Sequence, residues 1–159
     1  MKEIKLPIGE TSIVDDEKFE ELSQYKWHLS SSGYAIRYDC MKEGKSTSIF
    51  MHRQLLKTLP GRYVDHKNMN KLDNRMDNLR ECSMRENKGN IKPYKNNKSG
   101  HKGVCWSYST RKWMAQIKNK NGKNILLGFF VDKLDASKAY NKAAIKYFGS
   151  FARLNTFVL

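Results

Sequence analysis

Residues 63–87 read Tyr63-Val64-Asp65-His66, a polar run from Lys67 to Asn78, Leu79-Arg80-Glu81-Cys82, and Ser83-Met84-Arg85-Glu86-Asn87. The first and third pieces have the apolar and β-branched content of short strands. The run between them is dense in Asn and Asp, whose side chains bond their own backbone in turns, so it reads as loop. Ser83-Met84-Arg85-Glu86 has the form of a capping box, which starts a helix at Ser83 and places Asn87 in its first turns. Gly89 and Asn90 suit that helix's end. The stretch therefore predicts strand, polar loop, strand, helix.

Working upstream, Ile4 to Ile8 alternates weakly and stops at Gly9. Asp15-Asp16-Glu17 precedes Phe19, Leu22, Tyr25 and Trp27, the spacing of one or two helical turns. Gly33 to Tyr38 reads as a strand, Glu43-Gly44-Lys45 as a turn, and Thr47 to Met51 as the strand that returns. His52 to Leu59 reads as a short helix stopped by Pro60-Gly61. Downstream, residues 91–100 contain a proline, little apolar content and no acid, and are expected to be an extended or mobile basic linker. Beyond them Val104-Trp106-Tyr108, Trp113-Ala115-Ile117 and Ile125-Leu127-Phe129 alternate at period two, with the hairpin dipeptide Asn121-Gly122 between the last two. Residues 133–148 switch to helical period, with Ala136, Ala139/Tyr140, Ala143/Ala144 and Tyr147 on one stripe, and Gly149 closes the helix.

The charge is uneven. Of 159 residues carrying a net +14, residues 1–87 hold 15 Lys/Arg against 14 Asp/Glu, whereas residues 88–159 hold 15 against only Asp132 and Asp135. That asymmetry suits a polyanion partner for the second half, and phosphates are the commonest target. Cys40, Cys82 and Cys105 are odd in number and widely spaced, which argues against a disulfide framework and against zinc pairs. Met1-Lys2-Glu3-Ile4-Lys5 leads into no apolar segment, and no apolar run reaches membrane-spanning length, so a soluble cytoplasmic protein is expected.

The spacing of Val64-Asp65-His66, Asn78-Leu79 and Glu86-Asn87, preceded by His52-Arg53, resembles the HNH nucleases, more narrowly those of phage and homing type. Asn74 follows Asp73, so one Asn of the pair usual at that point is missing. The core likeness covers residues 49–90 and implies a β-β-α hairpin around one divalent metal. On that likeness Asp65 and Asn87 are metal ligands, and a carboxylate with an amide oxygen suits Mg²⁺, or Mn²⁺, better than Zn²⁺. His66 is the general base for water, its ordinary pKa lying near neutrality. Asn78 bonds across the loop and orients His66, while His52 and Arg53 support the site.

The segment 101–157 resembles the three-strand-plus-helix DNA-binding domain of the plant ethylene-response-factor (APETALA-two) family. The likeness rests on Lys102-Gly103-Val104, Lys112 to Ile117, Leu127 to Phe130, Asp135 to Tyr140, Ala143-Ala144 and Gly149 through Asn155. In that family the exposed sheet face enters the major groove. Strand parity sends Val104, Trp106, Ala115, Ile117, Ile125 and Leu127 toward the helix, with the tryptophans in the core. Lys102, Gln116, Lys118 and Asn124 become candidate base-edge contacts, with Arg111 and Lys112 on phosphates. Cys105 and Ser107 stand where the plant family favours arginines, so its base preference does not transfer. Lys92, Lys95 and Lys98 are candidate backbone or minor-groove contacts.

The resulting expectation is an α+β chain: short strands leading into a β-β-α metal nuclease core (residues 1–90), a basic linker (91–100), and a three-stranded antiparallel sheet packed on one helix (101–159). The expected function is metal-dependent double-stranded DNA cleavage, as a nick or a double-strand break, by a homing or phage-encoded enzyme acting as monomer or homodimer with no membrane partner. The alternative is a DNA-binding transcriptional regulator built on an inactive nuclease fold.

Overall fold

The computed structural model describes residues 1–40, 46–119 and 121–157. The turn expected at Glu43-Gly44-Lys45 lies outside the described residues. The chain divides into two compact units, Met1–Met84 and Arg85–Leu159.

The first unit opens with β1 (Lys2–Lys5) antiparallel to β2 (Thr11–Val14), Ile4 lying opposite Ser12. Helix α1 (Asp16–Ser23) follows, with Asp16 and Glu17 in its first turn, where acids complement the helix dipole. Trp27 is buried and donates its indole N–H to the Leu22 carbonyl at 2.8 Å, so the largest side chain of this core also closes the helix end. Strands β3 (His28–Leu29), β4 (Ala35–Cys40) and β5 (Ser46–Phe50) form an antiparallel sheet in that order. Helix α2 (Met51–Leu56) stops at Lys57, which takes a left-handed conformation with φ of 50°, three residues before the Pro60 that was expected to stop it. Then β6 (Tyr63–His66) pairs antiparallel with β7 (Leu79–Cys82), the two strands foreseen around the polar loop. The core comprises Ile4, Leu6, Val14, Leu22, Trp27, Ala35 and Met51, and Leu72 from the polar loop packs against it. A strand-like contact ties the same loop to β2: Ile13 N–H donates to Leu72 O and Asn74 N–H to Ile13 O, both at 2.8 Å.

Helix α3 (Met84–Gly89) carries the chain into the second unit. The segment expected to be mobile ends in a bonded turn. Asn97 Oδ1 accepts from the backbone N–H of Ser99 and Gly100, and the Ser99 hydroxyl donates to Val104 O at 2.7 Å. Strands β8 (Val104–Ser107), β9 (Lys112–Lys118) and β10 (Asn124–Phe130) make an antiparallel sheet with β9 central, and α4 (Lys133–Phe148) packs on one face. Val104, Ala115 and Ile117 meet Ala136, Tyr140, Ala143 and Ala144 in its core. Asp132 caps α4 by accepting from Leu134 N–H.

The parity expected for β10 fails at its end. The register slips between Leu126 and Gly128, so Phe129 pairs with Met114 on the open face and Phe130 pairs with Trp113 on the helix side. Gly128, at φ of 145° where other residues are strained, permits this bulge. The two tryptophans do lie on the helix side, edge to face at 5.2 Å, but Trp106 sits at the sheet's end and is 40% exposed.

Candidate active site

Asp65 and His66 are consecutive on β6, and alternation along a strand would send them to opposite faces. Each is nearly buried, at 5% and 4% exposure. Asp65 is the register partner of Arg80 on β7. The Arg80 guanidinium binds one carboxylate oxygen, Oδ2, with Nε at 2.9 Å and Nη2 at 2.7 Å. A nearly buried carboxylate requires such a counter-charge. Sequence reasoning missed Arg80, although a basic residue one position past Asn78-Leu79 was there to be paired across a hairpin.

The polar loop is a network of side-chain to backbone bonds. Asn68 Oδ1 accepts from Asn70 N–H, and Asn70 Oδ1 from Leu72 N–H. Asp73 is its hub: Arg75 donates Nε to Oδ1 and Nη2 to Oδ2, and Asn68 Nδ2 donates to Oδ2. The Arg75 bonds hold the Asp73 carboxyl below its ordinary pKa, outweighing burial. Asn78 lies within this network. Its Oδ1 accepts from Asn68 N–H at 3.0 Å and its Nδ2 donates to Asp73 O at 2.7 Å. Asn78 therefore bonds across the loop as expected, but it braces the loop backbone rather than the imidazole.

Asn74 is bonded to His66, with 3.3 Å between His66 Nε2 and Asn74 Oδ1. The other end of that amide, Nδ2, donates to the Ser12 hydroxyl at 2.8 Å. Asn74 stood in the sequence pattern without a role, and nothing in the spacing marked Ser12.

His66 packs against the rings of His52 and Tyr34. His52, 7% exposed, stands edge to face with it at 5.2 Å, and Tyr34 lies 4.9 Å from His52 and 5.9 Å from His66. Phe50 lies 5.4 Å from His52 and 5.8 Å from Tyr34. Burial, then the neighbouring His66 and Arg53, pushes the His52 pKa down to about 3, so the ring is neutral at physiological pH. Its Nδ1 is buried with no hydrogen-bond partner. Burial also lowers the His66 pKa, opposed by the Asn74 bond and by the charges of Asp65 and Asp73. A neutral imidazole is the form that can accept a proton from water. Tyr34 is shifted upward by burial and by Asp65, and the Lys71 ammonium lies 4.7 Å from its ring centre. Arg53 donates to Arg62 O and Leu59 O, closing the loop after α2.

Asn87 is half-buried on α3, within the second unit. Among the described residues no three His, Cys, Asp or Glu side chains converge on one point. In the second unit Lys102, expected as a base contact, is engaged with backbone carbonyls. Its ammonium donates to Lys88 O at 3.2 Å and Gly89 O at 2.6 Å, capping α3, and burial, then Arg153, pushes its pKa down to about 8. Lys112, Lys118 and Asn124 are exposed, as is Arg111 in the β8–β9 turn, and Gln116 is half-exposed. Gln116, Lys118 and Asn124 lie on the sheet face away from α4 with Cys105, Met114, Leu126 and Phe129. Lys92, Lys95 and Lys98 are exposed.

Comparison with known proteins returns one family and two relatives. A family model described as HNH endonuclease matches residues 59–88, a span that contains Asp65, His66, Asn78 and Asn87. An uncharacterized HNH endonuclease of Acanthamoeba polyphaga mimivirus, L560, is 33% identical over 147 residues, covering 92% of this chain and 75% of the relative. Protein 3.8 of Escherichia phage T7 is 40% identical over 57 residues, 36% of this chain and 47% of that protein, so the likeness spans about half of the phage relative.

Proposed function

Because the chain belongs to the HNH endonuclease family, we propose that it hydrolyses phosphodiester bonds of double-stranded DNA with His66 as general base and Asp65 and Asn87 as ligands of a divalent cation. The observation that carries this reading is His66 itself: a nearly buried, neutral imidazole oriented by Asn74, next in sequence to a nearly buried carboxylate. The donor chemistry fits a hard cation. A carboxylate and an amide oxygen suit Mg²⁺ or Mn²⁺, which keep water ligands and take phosphate oxygens instead of needing a closed protein cage. Bound there, the cation would supply Lewis-acid relief of charge at the phosphate and leaving oxygen. Arg80 holds Asp65 in place by one oxygen, and the braced loop keeps His66 from turning. Asn78 contributes by holding that loop closed.

The second unit is the grip in this reading. Its three strands and one helix, with the residues matched above, support an APETALA-two-like mode in which the open sheet face meets the major groove. Gln116, Lys118 and Asn124 would lie on base edges, with Arg111, Lys112 and the exposed lysines 92, 95 and 98 on phosphates. Residues 1–90 then cut, 91–100 join, and 101–159 bind. Relatives from a giant virus and a phage fit a phage-encoded or homing enzyme acting on intracellular DNA.

Supercoiled plasmid incubated with Mg²⁺, with Mn²⁺ and with EDTA tests the reading, alongside His66→Ala. The expected result is metal-dependent relaxation or linearisation by the wild type, and a loss of about 10²–10⁴-fold in the variant with DNA binding retained. Undiminished cleavage by His66→Ala would sink the assignment. Binding without cleavage in either metal, across many target sequences, would make the protein a DNA-binding regulator.

A further inference from the structure

We propose that Ser12, on β2 and outside the segment matched by the nuclease family, is a positioning residue for cleavage: acting through Asn74, it dictates that His66 carries its proton on Nε2 and accepts the proton of the attacking water on Nδ1. This rests on the functional reading above.

The argument is one of donors and acceptors. Ser12 is 0% exposed and Asn74 1%, so water does not enter the accounting. The Ser12 hydroxyl has three neighbours: Leu72 O at 3.0 Å, Met51 Sδ at 3.3 Å and the Asn74 amide at 2.8 Å. A carbonyl oxygen can only accept, and a thioether sulfur is a weak acceptor, so the single hydroxyl proton points to Leu72 O. Toward Asn74, Ser12 Oγ is then an acceptor, and the amide must present its NH₂. The opposite end of that amide, Oδ1, faces His66 Nε2 at 3.3 Å and can only accept. Nε2 must therefore bear the hydrogen. A neutral imidazole has one N–H, so the lone pair is on Nδ1.

Rotating the Asn74 amide by half a turn would set its NH₂ against the Nε2 hydrogen and its oxygen against a hydroxyl whose proton is engaged. Restoring those bonds would require the Ser12 proton to leave Leu72 O and the imidazole to take its other tautomer, so the Ser12–Leu72 bond is what holds the amide in its present sense. The backbone stiffens the arrangement. Ile13 N–H donates to the same Leu72 O, and Asn74 N–H donates to Ile13 O, so β2 clamps the loop on both sides of Asp73. In the reaction a water O–H bond breaks as the Nδ1–H bond forms. The water oxygen bonds to phosphorus, and the bond to the leaving sugar oxygen breaks, its electron pair staying on that oxygen. Preorganising the correct nitrogen means that no tautomer exchange precedes attack.

The test is ¹⁵N spectroscopy of histidine-labelled protein, with cleavage kinetics of Ser12→Ala and Ser12→Thr. The expected result is protonated Nε2 and unprotonated Nδ1 for His66 in the wild type. Ser12→Ala should show mixed tautomers and about a tenfold fall in kcat with DNA affinity unchanged, the scale of one lost hydrogen bond. Ser12→Thr, which keeps the hydroxyl, should recover the wild-type spectrum. A wild-type enzyme that cuts while His66 carries its proton on Nδ1 overturns the inference, even if Ser12→Ala fails to fold. So does Ser12→Ala with wild-type tautomer and wild-type kcat. A wild type that never cuts fails the functional reading instead, a result the spectrum alone does not produce.

Discussion

Arg80 and Asp65 face each other across the β6–β7 ladder, with the guanidinium Nε and Nη2 both donating to carboxylate Oδ2. Removing the arginine leaves a nearly buried carboxylate without this counter-charge. Arg80→Met should therefore lower the stability of metal-free protein by about 3 kcal/mol. A cation binding at Asp65 would restore the missing charge, so Mn²⁺ should stabilise the variant more than the wild type. Urea unfolding in EDTA and in Mn²⁺ measures both. Equal Mn²⁺ effects on the two proteins would remove Asp65 from the metal site.

His52 makes the protein sensitive to acid. In the unfolded chain it takes its proton near pH 6.5, and in the folded protein only near 3. Between those values the unfolded state binds a proton that the folded state does not. Stability is therefore whole above 6.5 and declines as pH falls through this window. His52→Leu should lose less stability than wild type between pH 7 and pH 4.5, by on the order of 2 kcal/mol. Parallel urea midpoints at the two pH values decide it, and identical pH slopes would mean the ring is protonated in place.

Gly103 admits no side chain. Its φ is 73°, and a Cβ there would lie 2.0 Å from the Tyr140 ring and 2.6 Å from Gln116 O. Gly103→Ala should destabilise the second unit by about 3 kcal/mol through strain and overpacking. Hydrogen exchange should show faster amides in β8–β10 and α4, with β6 and β7 unchanged. Uniform loss of protection across the chain would show that the two units melt together.

Lys102 and Lys118 look alike in sequence and should behave differently. The Lys102 ammonium caps α3 by bonding carbonyls, whereas Lys118 is exposed at the end of β9. Lys118→Met should reduce the slope of log affinity for DNA against log salt by about 0.9. Lys102→Met should leave that slope alone and cost about 1 kcal/mol in stability. A reduced slope for Lys102→Met would return this residue to the DNA contacts.

What could be read from the sequence was what depends on local pattern. The β6–β7 strands, α1, α4 and the Asn121-Gly122 hairpin follow from apolar period and turn residues, and the helix-facing side of β8 and β9 from parity. What escaped depends on distant partners. Strand β2 was hidden because its inward residue Ser12 is polar, buried only because Asn74 and Leu72 receive it from across the loop. Asn74 and Asn78 are the same residue type in one polar loop, and spacing alone does not say which reaches the imidazole. The β10 bulge moved Phe129 outward because a one-residue slip inverts every later side chain. Lys102 was read as a base contact from the family likeness, and its bond to the Lys88 carbonyl, fourteen residues earlier, has no local signal.

The contact between Ser12 and Asn74 spans 62 residues of chain. Closing so long a loop costs entropy before it returns any bonding, and topologies built on such contacts consolidate slowly. The second unit makes closures of similar length, Arg85 Nη2 donating to Tyr147 O across 62 residues and Lys102 N–H to Asn155 Oδ1 across 53. On refolding, secondary structure should thus recover ahead of cleavage activity. During synthesis the first strands must wait, unpaired with the loop, until the ribosome has released Asn74.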